Sequence, residues 1–530
     1  MMTRLTKYRI LILPPLALYT WFVIQTAWVS DDAFITFRSI ENFYHGYGPV
    51  FNIGERVQTF THPLWFLVQS LANYIMDLWR NNPLHRAQIY FLNIFLSIAF
   101  SLFTTVIYSF KIASSTRNAV LGILILSSSK AFIDYSTSGL ENPLTHAILI
   151  PFIWLAFTGE KTLPASLFYL TVLAALGGLN RLDTLVLFLP TIGLLFLLST
   201  DKRKSMIMIG LGLLPLIAWE LFSLFYYGTP FPNTSYAKIN ADISIWNMIR
   251  QGAFYFQNSM KLDPITLLVI AAAMIFGWGF GSKIQKTIMT GVLLYLLYIL
   301  YIGGDFMSGR YFTPPLLAST AVITSVEFKS MKSYFLSLIL VLVIGIAPFF
   351  LIAERSSSFG EETKNYRVFR DEQGITDERR IYTRYGFGLL QSLEVGAHVS
   401  DYSRDNWIYH NEKPVHVELV GPLGMSAYRY GPDVHVIDRN ALADPLMSRM
   451  PLIDAEHWRI GHFRHIIPEG YLMTLELGEN RIMDEDIALY YDKLSFIIKG
   501  DLWSWARIVE IWNLNTGKYD YLLEKTSTAQ

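Results

Sequence analysis

Asp31 and Asp32 stand side by side directly after a hydrophobic run, 10–29, of the length a bilayer crossing needs. Two carboxylates at that position cost free energy in lipid, so they must face water, a cation or a reacting group. Either could act as general base on an acceptor hydroxyl, because a carboxylate in a partly dry cavity has its pKa raised toward the working pH. The pair could instead hold a divalent cation (Mg, Mn or Ca) that neutralises a leaving phosphate. The structural alternative is a solvated helix start, where acids are common.

Other polar groups mark the ends of later apolar runs. Glu141 sits with Asp134 in the stretch 134–143, beside Gly139 and Pro143, and could orient a sugar hydroxyl, bind a cation or cap a helix. In Asn180-Arg181-Leu182-Asp183, the arginine could clamp a donor phosphate with Asp183 setting its orientation, or the two could form an ion pair that fixes two helices. Asn233, Tyr236 and Lys238 lie in a loop of aromatics, hydroxyls and prolines, 226–238. The first two suit sugar contacts and Lys238 could reach an anion, although a proline-rich turn accounts for the same composition. The glycine-rich segment 303–315 carries Asp305 and Arg310. Its glycines let the backbone approach a ligand closely, and Arg310 is a bidentate phosphate donor. Asp305 could accept from a sugar or hold Arg310 in an internal salt bridge. His62, in the first polar loop, joins Arg310, Arg181 and Lys238 as a candidate donor-phosphate ligand.

These residues need a membrane scaffold. The 530 residues are 52% hydrophobic and only 16% charged, which points to a polytopic α-helical membrane protein. Net charge is zero, so no basic field invites nucleic acid, and the absence of cysteine excludes disulfides, thiolate metal sites and a cysteine nucleophile. Apolar runs predict eleven spans, near 10–29, 87–110, 118–133, 143–158, 163–179, 184–200, 205–226, 264–281, 287–302, 313–327 and 333–353. A further run, 63–79, decides the topology. If it lies along the outer interface, the short basic loops fall on one side with the N-terminus, as the positive-inside rule requires. The N-terminus, with Arg4, Lys7 and Arg9, is then cytoplasmic on an uncleaved first helix, and every polar cluster above falls on the extracytoplasmic face.

Two domains are expected: a transmembrane catalytic part, 1–353, with an outer loop 30–86, and an extracytoplasmic α/β domain, 354–530. The second is charged and turn-rich, with strand-like alternations at 415–420 and 434–438. Its first stretch, 355–380, reads as a linker or surface helix, and Trp407, Tyr428 and Trp458 are candidates for stacking on an acceptor glycan. No P-loop or dinucleotide fingerprint is present, which argues against a soluble nucleotide donor.

Several stretches carry a resemblance. They are Asp31-Asp32-Ala33-x-Ile35-Thr36-Phe37-Arg38, Phe51-Asn52-x-Gly54-Glu55-Arg56-Val57, Ser138-Gly139-Leu140-Glu141, Pro232-Asn233-Thr234-x-Tyr236-Ala237-Lys238 and Gly303-Gly304-Asp305-x-Met307-x-Gly309-Arg310. In the tail, Leu442-Ala443-Asp444-Pro445-Leu446 and the stretch from Trp458 to Pro468 belong with them. In order and spacing the set resembles the GT-C superfamily of membrane glycosyltransferases, and within it the mycobacterial terminal β-(1→2)-arabinofuranosyltransferases and their bacterial relatives. The resemblance implies transfer of a sugar, arabinofuranose or a similar pentofuranose, from a polyprenyl-phosphate donor to an extracytoplasmic glycan or glycoconjugate. It implies a bacterial inner membrane location and places the catalytic acid at Asp31 or Asp32. Where such relatives carry Arg-Pro-(Asp/Glu), this chain has Arg181-Leu182-Asp183. The competing readings are a lipid-linked-sugar transporter, whose buried charges would line a path through the membrane, and a non-enzymatic envelope assembly factor.

Overall fold

The computed structural model describes residues 10–79, 88–159, 163–241, 243–327, 330–353, 369–395 and 416–523. Arg4, Lys7, Arg9, most of the 355–380 stretch and Trp407 lie outside the described residues.

The chain is mostly helical, and each of the eleven predicted apolar runs is helix over most of its length. Without water, backbone N–H and C=O groups must pair within their own segment, and continuous apolar runs supply the side chains for that state. Starts are set locally. Prolines occupy the first turns of Asn142–Thr158, Pro264–Phe280 and Thr313–Thr324. Ser282 and Gln285 form a reciprocal capping box for Lys283–Tyr301. Among the described residues two helices are long and apolar enough to cross a membrane, or up to four if each of two bent pairs is one span. Six shorter apolar helices of 10–17 residues accompany them.

Two features depart from the sequence reading. The first helix ends at Gln25, and Trp28 forms an isolated bridge with Gly388, so Asp31 begins a separate helix, Asp31–Tyr44. An amphipathic helix, Ile245–Leu262, also precedes Pro264–Phe280 and bends away from it by 110°. Its charged residues, Arg250 and Lys261, kept it out of the apolar pattern.

The described chain forms two compact units that interleave in sequence. One comprises 1–30, 90–216 and 245–396; the other comprises 31–89, 217–244 and 397–530. The first is built from helices. The second holds β1 (His416–Val420) and β2 (Val434–Asp438), which pair in parallel with His416 opposite Val434 and Val420 opposite Asp438. These are the two alternating stretches expected as strands. A helix, Leu423–Tyr430, joins them in a β-α-β arrangement. Ile35 of Asp31–Tyr44 packs with Phe51, Leu423, Ala427 and Val436 in one core of this unit. Tyr428 is buried edge-on against Phe34 at 5.5 Å, so it is a core residue and not a glycan-stacking surface. A second core gathers Val57, Ala237, Tyr471, Tyr490, Leu494 and Ile511.

Candidate active site

In the helical unit, five predicted residues form one ion network. Glu141, fully buried, opens the Asn142–Thr158 helix and accepts from both arginines. Arg310 Nη2 lies 2.8 and 3.0 Å from its two oxygens, and Arg181 Nη1 lies 2.8 Å from Oε1. Arg181 is also bidentate to Asp183, at 3.0 and 2.6 Å, and its guanidinium lies 4.4 Å over the Tyr311 ring. Asp305 stands 3.5 Å from Arg310 Nη1.

Local sequence sets these positions. Arg181 is extended between the Ala165–Asn180 helix and a single 3-10 turn containing Asp183, which aims both side chains the same way. Gly309 has φ 76°, and a Cβ there would come 2.7 Å from Ala131, so only glycine lets Arg310 start its turn this close to a neighbouring helix. The glycine thus serves backbone-to-protein packing.

Three carboxylates surround two guanidiniums, so the network is formally one charge negative. Buried charges are tolerated only with such pairing. The Arg310 Nε–H is buried and meets no acceptor among the described residues. This is the network's unspent donor, and a phosphate oxygen is the acceptor a guanidinium edge fits.

A second buried network in the same unit was not anticipated beyond Asp134. Lys130 pairs with Asp134 and reaches Asp377 Oδ1 at 3.0 Å, while Arg379 Nε lies 2.5 Å from Asp134 Oδ1. The four-residue spacing of Lys130 and Asp134 on one helix is a readable signal. Asp377 and Arg379 are 247 and 245 residues from their partners and give no local one.

In the other unit, Asp31 is buried and its carboxylate accepts from the backbone of the Leu423–Tyr430 helix, Gly424 N at 3.0 Å and Met425 N at 2.8 Å. It is therefore the anion at that helix's N-terminus. Gly424 is required: a Cβ there would lie 1.8 Å from the Asp31 carbonyl oxygen. Burial pushes the Asp31 carboxyl up, against the opposing pull of those two N–H donors. Asp32 is half-buried. One turn on, Thr36 Oγ1 sits 2.7 Å from His62 Nε2. Arg38 is buried and donates to the carbonyls of Phe51, Ala427, Gly431 and Val434, which ties this helix to the β-α-β element.

As a cation site the acid pair fits poorly. Both Asp31 oxygens face N–H donors, and among the described residues no group of three or more His, Cys, Asp or Glu could hold a metal ion.

Asn233, Tyr236 and Lys238 share the short helix Asn233–Ile239. The Asn233 amide donates to the carbonyls of Ala441, Leu442 and Asp444 at 2.9, 3.1 and 3.0 Å and accepts from Ser448 at 3.0 Å. It is committed to pinning the tail. Tyr236 is half-buried under the Arg449 guanidinium at 4.6 Å, and Lys238 is exposed.

Two more buried carboxyls in this unit respond to pH. Burial pushes Asp438 up to about 7 and Asp444 up to about 6, against backbone N–H donors that favour their charged forms. The folded chain then holds protons that the unfolded chain has released above about pH 4. Stability from these groups is present below that value and is lost as pH rises through about 6 to 7. The buried His435, held down to about 4, works in the opposite sense, so the assignment is read by comparison: Asp438→Asn should keep more of its melting temperature than wild type as pH rises from 5 to 8. A variant that loses as much as wild type over this window would contradict the assignment.

No family model matches the chain. It is 25% identical to the terminal β-(1→2)-arabinofuranosyltransferase of Mycobacterium tuberculosis, over 85% of this chain and 83% of that one. It is 26% identical to the enzyme of the same name from Corynebacterium glutamicum, over 83% and 74%. Among solved structures it resembles ArnT from Cupriavidus metallidurans, bound to undecaprenyl phosphate, with a TM-score of 0.50 at 11% identity over 83% and 88% of the two chains. The chain spans 64% of the length of the Archaeoglobus fulgidus oligosaccharyltransferase, at a TM-score of 0.43 and 10% identity. In sequence the chain is similar to two arabinofuranosyltransferases, which makes it a glycosyltransferase-like enzyme, and in fold it resembles ArnT.

Proposed function

We propose that this protein transfers a pentofuranose, arabinofuranose foremost, from a polyprenyl-phosphate donor to an extracytoplasmic glycan or glycoconjugate. The observation that carries the reading is the similarity to two arabinofuranosyltransferases across more than four-fifths of the chain. The donor class is supported by the fold neighbour bound to undecaprenyl phosphate and by the unspent Arg310 N–H. The topology that goes with it has eleven spans, 1–353, in a bacterial inner membrane, with the N-terminus in the cytoplasm and 354–530 outside.

In this reading Arg310 and Arg181 hold the donor phosphodiester and stabilise the charge that grows on it as the sugar leaves. Glu141, Asp183 and Asp305 keep the two guanidiniums fixed. In the second unit, Lys238 and His62 stay candidates for an anion and Tyr236 for the acceptor, whereas Asn233 drops out because its amide is spent on the 441–448 turn. Asp32, the more accessible acid, takes the proton of the acceptor hydroxyl, and Asp31 fixes the start of the helix that carries it. The phosphate is a good leaving group and needs no strong general acid. The carboxylate pair is poorly set to share a cation, so transfer should survive chelation.

The test is transfer from radiolabelled polyprenyl-phosphate-arabinofuranose to short glycan acceptors by the purified protein, with and without EDTA. Product formation in both arms is expected. Failure with arabinofuranose but success with another polyprenyl sugar would correct the donor. Failure with every polyprenyl sugar would overturn the enzyme reading in favour of transport or assembly.

A further inference from the structure

The C-terminal helix Trp505–Asn515 has two unlike faces. Arg507 and Ile511 are buried on one side. The opposite side carries Trp505, Ile508, Val509 and Trp512, spaced to form one stripe, with the tryptophans 75% and 72% exposed. No charged residue falls within the stripe. Trp503, just before the helix, is 81% exposed. An exposed apolar face with large indoles is normally covered by something.

What covers it follows from where the helix is fixed. Arg507 donates to the last carbonyls of the apolar helix Leu214–Tyr226, Phe225 O at 2.8 Å and Tyr226 O at 2.9 Å. Asn515 donates to Gly228 O at 2.8 Å. A cation on orphan C-terminal carbonyls is a favourable cap, and it locks the two helices together. The Leu214–Tyr226 helix belongs to a bent pair apolar enough to make one span, and its Ile217, Leu221 and Phe222 are exposed. The Trp503 ring meets Phe225 at 5.2 Å, so the indole stripe continues from the end of that apolar surface.

We propose that Trp505–Asn515 lies in the headgroup region of the bilayer, with Trp503, Trp505 and Trp512 as interfacial anchors that dock the tail on the lipid surface. Indoles favour this zone because one edge is apolar and the N–H finds partners among headgroups and water. The occupant is lipid, since the stripe extends a membrane-facing helix end.

The chain has no cysteine, which allows single-site labelling. The full chain carrying Val509→Cys, labelled with an environment-sensitive fluorophore and placed in phosphatidylcholine–phosphatidylglycerol nanodiscs, should emit blue-shifted light. A lipid spin-labelled near its headgroup should quench it at least twofold. The same label at exposed Glu479→Cys should report water. Adding Trp505→Ser and Trp512→Ser should restore aqueous emission at 509 without changing the melting temperature in detergent. A blue shift that spin-labelled lipid leaves unquenched would assign the face to a protein partner and overturn the proposal. Aqueous emission at 509 in the parent would overturn it outright.

Discussion

Asp32→Asn is expected to lower the rate of sugar transfer by about 10²–10⁴-fold, the range a positioned general base contributes, while the melting temperature stays near wild type. Asp32 is half-buried at the head of its helix, and amide substitution there changes proton affinity more than packing. Asp31→Asn should behave differently. Its two oxygens accept from Gly424 N and Met425 N, and asparagine offers only one acceptor oxygen. One buried N–H then loses its partner, at about 1–3 kcal/mol, so the second unit should melt earlier. The measurement pairs initial rates at saturating donor with thermal unfolding for each variant. Wild-type turnover by Asp32→Asn would remove it as base. An inactive but fully stable Asp31→Asn would move that role to its neighbour.

The second large effect concerns Glu141→Gln, which should destabilise the helical unit by about 3–5 kcal/mol, the cost of breaking a buried pair by deleting one partner. The glutamate joins Arg181 and Arg310, and among the described residues no other carboxylate is paired with both. The amide keeps the shape but leaves two guanidiniums sharing Asp183 and Asp305. Any folded fraction should bind donor with altered affinity, because Arg310 loses the group that orients it. Arg310→Lys provides the complement: the charge remains and the planar fork is lost. It should raise the donor KM with a smaller loss of stability. A Glu141→Gln protein with wild-type melting would show that the network is not cohesive, and unchanged donor KM in Arg310→Lys would exclude Arg310 from phosphate binding.

The legible parts of this chain are those written locally. Continuous apolar runs dictated helices because lipid leaves no other way to satisfy the backbone. Alternation at 434–438 was readable as a strand. Prolines at first turns announced their geometry, whereas the glycine before Arg310, read as room for a ligand, packs against Ala131. Glu141, Arg181, Asp183, Asp305 and Arg310 were each visible as polar residues at the ends of apolar runs. Their joining into one network was not, since the partners lie up to 169 residues apart. The break after Gln25 was hidden because Thr26–Ser30 stays apolar enough to prolong the run, although Trp28 bonds the backbone of Asp134. The Asn233 side chain shows the limit from the other side. Its loop composition suits sugar binding, yet every donor and acceptor is spent on the 441–448 turn.

Asp31 meets its amide partners across 393 and 394 residues of chain, which bears on how the protein comes into being. The ribosome has made most of the polypeptide before the N–H groups of Gly424 and Met425 exist. Until then Asp31 at the head of its helix has no platform, and Arg38 lacks the carbonyls of Ala427, Gly431 and Val434. The native setting of this helix therefore waits for the 424–434 segment to be made. A nascent chain stalled before 423 would carry both aspartates without the amides that hold Asp31.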